Sequence, residues 1–168
     1  TYLTALKENR VEIDRISWND LWIAVAILIS KRSHDAQTKF GALLINQSNE
    51  ILASGYNGVI RNIDDSILPN LRPMKYPFYV CHAELNAILS CARQGKSTMG
   101  AIIYITGEPC LNCLQYIYQA GIQEIRYADI QRAHMIETDP NYKMNKKVLL
   151  FLMKNKLVVT KIKVSDWV

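Results

Sequence analysis

Residues 17–168 predict an α/β fold with three α/β/α layers around a central mixed five-stranded sheet. Three observations carry this expectation. Trp18, Leu21, Trp22, Val25 and Ile29 recur at helical spacing. Two short apolar runs, 40–46 and 51–56, are separated by the polar residues Gln47, Ser48 and Asn49, as in a hairpin. Beyond residue 80, helical patterns alternate with strand-like runs as far as residue 164, an order that covers a sheet with helices.

The elements follow in order. Residues 1–16 are polar and weakly patterned, an arm or an extra helix. Ser17 and Asp20 resemble a capping box, in which hydroxyl and carboxylate each satisfy an otherwise free N–H. The helix they open should run to about Arg32. The strand pair 40–46 and 51–56 comes next. The longest irregular stretch, 58–79, carries Pro69, Pro73 and Pro77, and long loops inside compact domains are often functional. A helix is expected from about His82 to Arg93, a strand over 101–106, a helix from Cys110 to Ala120 and a strand over 124–128. After a charged segment, a helix over 143–155 and a strand over 157–164 complete the chain.

Composition narrows the class. A chain of 168 residues, 49% hydrophobic and 21% charged, suits one soluble domain with a real core. The apolar-rich stretch 21–29 is too short to span a bilayer, and no basic region followed by an apolar run opens the chain. The expectation is a cytoplasmic protein with no membrane partner. Its four cysteines, Cys81, Cys91, Cys110 and Cys113, should then be free thiols or ligands. The net charge of +5 suits an anionic partner, but the basic residues are scattered.

Chemistry concentrates in two short segments. Cys110 and Cys113 are three apart at the start of a predicted helix, so both lie on one face and can share one ion. A helix N-terminus favours thiolate over thiol, and Pro109 fits there because its missing N–H costs nothing. His82 opens another predicted helix. Two thiolates and one imidazole leave a fourth position open, the pattern of catalytic Zn2+. Glu84 lies two residues from His82, near the metal without binding it, and can carry protons. The combination H-x-E with P-C-x-x-C is the signature of zinc nucleobase deaminases. The competing readings of C-x-x-C are a redox pair or a structural zinc site, which would need a fourth ligand from Cys81, Cys91, His34 or His134. Cys91 reads as a small buried apolar group, Cys81 as a neighbour of the site, and His34 and His134 as surface or loop residues. The Trp18, Leu21 and Trp22 stripe reads as core or interface, and Lys154, Lys156, Lys161 and Lys163 as solvated.

From residue 17 onward the chain resembles the deoxycytidylate deaminases. The resemblance includes Arg32-Ser33-His34-Asp35 with Gly41-Ala42, Gly55-Tyr56-Asn57-Gly58, Asp64-Asp65, Lys75-Tyr76-Pro77, Cys81-His82-Ala83-Glu84-Leu85-Asn86-Ala87-Ile88 and Gln119-Ala120-Gly121-Ile122. It implies hydrolytic deamination of dCMP to dUMP with release of ammonia, supplying dUMP for thymidylate synthesis. It implies His82, Cys110 and Cys113 as ligands of one Zn2+, and Glu84 as the proton carrier. It further implies Asn57 as a contact to the substrate sugar, the Ala83 backbone N–H as a contact to the base carbonyl, and Arg32 as a candidate phosphate contact. Gly55, Tyr56 and Gly58 fall in the region where dCTP activates and dTTP inhibits, with Mg2+ accompanying the triphosphate. A homo-oligomer, often a hexamer, is the family's pattern.

Two of these residues keep a plainer reading. Asn57 can serve a left-handed turn, and Arg32 can complement a helix end. Val59-Ile60-Arg61-Asn62 departs from the family's Pro and Gly after Gly58, which bears on regulation more than on catalysis. Residues 58–80, where some members of the family carry a second, structural zinc, hold no Cys or His, so a single zinc is expected. Two rivals remain. A polynucleotide deaminase would call for a basic patch interleaved with aromatics, which is absent from the sequence. An idle nucleotide sensor would have no need of Glu84.

Overall fold

The computed structural model describes residues 1–11, 13–75, 78, 81–131 and 140–168. The elements are α1 (Tyr2–Glu8), α2 (Trp18–Ser30), β1 (Gly41–Ile45), β2 (Ile51–Tyr56), α3 (Ala83–Arg93), β3 (Ile102–Gly107), α4 (Leu111–Gln119), β4 (Glu124–Gln131), α5 (Pro140–Met153) and β5 (Val158–Lys161). The strands form one mixed sheet in the order β2-β1-β3-β4-β5. β1 runs antiparallel to both β2 and β3, while β3, β4 and β5 are parallel. Parallel neighbours need crossover connections, which α4 and α5 provide.

The side chains of a strand alternate between the two faces, so each central strand feeds two cores. From β1 and β3, Ala42, Leu44, Ile103 and Ile105 pack with Ala83, Ala87, Cys91, Leu114, Ile117 and Met153 of α3, α4 and α5. From the same strands, Leu43, Ile45 and Tyr104 pack with Trp22, Ile23 and Ala26 of α2. This is the three-layer arrangement expected from the sequence. Gly55 shows how close the layers come: a Cβ there would lie 2.2 Å from the Ala83 carbonyl oxygen. The glycine lets β2 touch the first turn of α3, which carries His82, Ala83 and Glu84.

Several boundaries differ from expectation for identifiable reasons. Ser17 caps α2 by accepting from the Asp20 N–H at 3.1 Å, but the Asp20 carboxylate does not complete a reciprocal box. It accepts instead from the Ser165 N–H and hydroxyl at 2.9 and 2.8 Å. That contact draws the chain end across α2, with Val164 and Val168 against its core, and β5 stops at Lys161 rather than continuing to 164. Among the described residues α5 covers Pro140–Met153, so it includes 140–142, ahead of the expected start at 143. α1 forms a helix with no buried residue. Trp22 is buried and Trp18 exposed, their rings stacked 5.4 Å apart. No helix among the described residues is long and apolar enough to cross a membrane.

Candidate active site

Two helix N-termini meet at the end of β3. His82 is the N-cap of α3 and Cys110 the N-cap of α4. His82 Nδ1 lies 3.5 Å from Cys110 Sγ and 3.5 Å from Cys113 Sγ. All three donor atoms fall within 4.8 Å of one another. Tetrahedral zinc with ordinary Zn–S and Zn–N bonds needs nitrogen and sulfur about 3.6 Å apart, so the donor set fits the ion. Cys81, Cys91 and His34 stand outside this group, so none of them completes a closed four-ligand site. His134 lies outside the described residues.

The electrostatics follow from the crowding. Hydrogen bonding from Cys113 and His82, helped by the imidazolium charge, holds the Cys110 thiol down at about 4. Its Sγ also accepts from the Cys113 backbone N–H at 3.4 Å. The same sharing pushes the Cys113 thiol up, since burial and the neighbouring Cys110 and Glu84 charges oppose a second anion. His82 is raised, chiefly by its bond to Cys110. A divalent cation among them would favour both thiolates and the neutral imidazole, which is how such sites couple proton release to metal binding.

Glu84 is 3% exposed. Burial pushes its carboxyl above the ordinary range, and the Cys110 charge pushes the same way. Backbone N–H bonding and the His82 charge pull partly back. A carboxyl tuned upward beside a metal-ligand cluster is suited to taking and returning a proton near neutral pH.

The other expected residues have distinct surroundings. Ala83 is fully buried at the first position of α3, where an N–H has no partner within the helix. Asn57 is not in a left-handed turn; positive φ among non-glycine residues occurs at Asn49 and Asn62. Its side-chain oxygen accepts from the Phe40 N–H at 2.8 Å, and its amide donates to the Thr38 carbonyl at 2.9 Å. Gly58 donates to the Cys81 carbonyl at 3.1 Å, which sets Asn57 beside the approach to His82. Arg32 is exposed just past the end of α2. His34 is in a loop, as expected, and its Nε2 is bonded to the Leu68 carbonyl at 3.0 Å. Cys91 is fully buried and Cys81 half-buried. Tyr76 and Pro77 lie outside the described residues.

Sequence reasoning missed one strong interaction here. Lys75 and Asp35, almost wholly buried, form an ion pair in which Nζ lies 2.5 Å from Oδ2 and 2.6 Å from Oδ1, and the Asp35 carboxylate also accepts from the Gln37 and Thr38 N–H groups. The pair ties the segment after α2 to the 71–75 turn. Lys75→Met leaves Asp35 buried without this counterion and should cost about 3–5 kcal/mol in urea unfolding. A loss below about 1 kcal/mol would show that the carboxylate is satisfied without the lysine.

Comparison with known proteins agrees with this geometry. The family model for "Cytidine and deoxycytidylate deaminase zinc-binding region" matches residues 16–129. Human deoxycytidylate deaminase is 39% identical over 118 residues, covering 67% of this chain and 65% of the human protein. The chain therefore spans just under two thirds of that relative's length. A probable deoxycytidylate deaminase of Drosophila melanogaster is 33% identical over 157 residues, covering 88% of this chain and 74% of that protein. The crystal structure of dCMP deaminase from cyanophage S-TIM5, in apo form, superposes with a TM-score of 0.63 at 28% identity, covering 86% of this chain and 96% of that one. With its three donors and neighbouring carboxyl at two helix starts, this chain belongs to the cytidine and deoxycytidylate deaminase zinc-binding family.

Proposed function

We propose that the chain hydrolyses dCMP to dUMP and ammonia, residues 17–168 forming the deaminase domain and 1–16 an appended arm. The observation that carries the reading is the buried Glu84 carboxyl beside the His82, Cys110 and Cys113 donor set. Those three residues would hold Zn2+, which would supply a water acidic enough to act as a nucleophile at neutral pH. Glu84 accepts the proton from that water and delivers it to N3 of the pyrimidine. It then carries the remaining proton of that water, from the hydroxyl now on C4, to the amino group, so that C4 gains oxygen and loses ammonia. The Ala83 N–H donates to the base carbonyl. Asn57 has a second amide proton, beyond the one given to Thr38, to offer the sugar. Arg32, exposed and cationic, meets the 5′-phosphate.

The reading extends to regulation by dCTP and dTTP with Mg2+ at the Gly55, Tyr56 and Gly58 turn. A cleft there is lined by Gly55, Tyr56, Arg61, Asp65, Asn86 and Arg93. Its two guanidinium groups suit a polyphosphate, and its carboxylate suits the accompanying cation. Asn86 donates to the Tyr56 carbonyl at 2.8 Å, so an occupant would press on α3 two residues from Glu84. A homo-oligomer, a hexamer in the family's pattern, belongs to the same reading. The outward row Met144, Val148, Phe151 and Leu152 on α5 offers it contact surface. The product dUMP would feed thymidylate synthesis.

Ammonia release by zinc-loaded protein tests the reading with dCMP, CMP, deoxycytidine and a cytosine oligonucleotide, each with and without Mg2+ and dCTP or dTTP. Turnover of dCMP, raised by dCTP and lowered by dTTP, is expected. Turnover of the oligonucleotide alone would replace the substrate class. Turnover of dCMP indifferent to both triphosphates would remove the regulatory part.

A further inference from the structure

The two thiol ligands are not held alike. Cys113 is buried within α4, so the helix itself fixes its backbone. Cys110 precedes the helix, half-exposed, in the short stretch 108–110 that has no regular secondary structure. Pro109 restricts that stretch but donates no backbone hydrogen bond. The position of Cys110 Sγ therefore depends on what anchors its neighbours.

Two residues of α5 do so. The Tyr142 hydroxyl oxygen accepts from the Leu111 N–H at 2.7 Å. Leu111 is the first residue of α4, and its N–H is one that the helix cannot use. Lys146 Nζ lies 2.8 Å from Glu108 Oε1 as an ion pair, without the angle of a directed hydrogen bond. Lys146 is 6% exposed, while the Glu108 side chain is 41% exposed, so the lysine end of the contact is buried and the carboxylate end reaches solvent. Tyr142 and Lys146 are four apart on one face of α5. The groups they hold, Glu108 and Leu111, bracket Cys110 on either side.

We propose that Tyr142 and Lys146 are positioning residues for the metal ligand Cys110, a two-point latch by which α5 sets that thiolate's place in the donor set. The inference rests on the metal reading of His82, Cys110 and Cys113, and is independent of the substrate. Neither side chain need touch the ion. Partners that orient metal ligands typically matter about 10–100-fold in metal affinity.

The test uses full-length protein and two probes, Zn2+ competition against a chromophoric chelator and the absorption spectrum of the Co2+ form. Tyr142→Phe and Lys146→Met should each weaken zinc binding about tenfold. They should also shift the Co2+ ligand-field and thiolate charge-transfer bands, which loss of general stability alone would not move. Glu108→Gln should reproduce Lys146→Met, and combining the two should add nothing, because they remove one contact. Lys146→Arg should restore both readouts. Zinc affinity and Co2+ spectra unchanged in Tyr142→Phe and Lys146→Met would overturn the latch while leaving the metal site standing. Failure of the unsubstituted protein to bind either ion at one equivalent would overturn the metal reading and the latch with it. Should Tyr142→Phe not fold, the Glu108 and Lys146 variants decide the question by the same readouts.

Discussion

Glu84→Gln is expected to keep one equivalent of zinc and a wild-type melting temperature, yet lose roughly 10²–10⁴-fold in turnover. Glutamine matches the carboxyl in shape but neither accepts nor delivers the proton that the reaction moves. The site magnifies the loss, because Glu84 is 3% exposed and bulk water cannot stand in as a relay. Burial raises the carboxyl's affinity for a proton, and the neutral amide forgoes that tuning altogether. Zinc content by atomic absorption and ammonia release on the same sample separate the two effects. Near-normal turnover in a zinc-replete variant would remove Glu84 from the proton path. Loss of zinc along with activity would show that the carboxyl helps to hold the metal.

Cys113→Ala should act at the opposite end of the mechanism, removing the metal rather than the proton carrier. Structural zinc sites with four protein ligands are worth on the order of 10–16 kcal/mol, so one protein ligand contributes about 2.5–4 kcal/mol, or roughly 10²–10³ in affinity. The wild-type protein should lose thermal stability when zinc is stripped by a chelator, since binding to the folded state stabilises it. The variant should melt at one temperature with or without the chelator. His82→Ala should behave in the same way, because its Nδ1 faces both sulfurs at 3.5 Å. Stoichiometric zinc in either variant would mean that the ion sits elsewhere. The contrast with Tyr142→Phe is one of degree: losing a donor should cost far more than misplacing one.

Much of the architecture was legible along the chain because its signals are local. Helix starts declare themselves through capping chemistry, and Ser17, His82 and Cys110 do stand at N-caps. Strand runs declare themselves by apolar alternation, and 51–56 matches β2 end to end. The errors fell where a distant residue intervened. Asp20 takes Ser165 as its partner, 145 positions away, which no capping pattern records. The Asn57 amide spans the Thr38 and Phe40 backbone rather than relaxing a turn.

For the site, residue type, spacing and the H-x-E with P-C-x-x-C signature pointed to His82, Cys110 and Cys113 as donors and to Glu84 beside them. Coordination chemistry restricts which side chains can serve, and helix geometry restricts where they recur. The tertiary structure decided which histidine nitrogen faces the sulfurs, across 28 positions of sequence. It also decided that Lys75 neutralises Asp35 across 40 positions, and that Tyr142 caps α4 across 31. Such pairings arise when packed layers bring side chains within a few ångströms, and a one-dimensional pattern carries no information about which faces will meet.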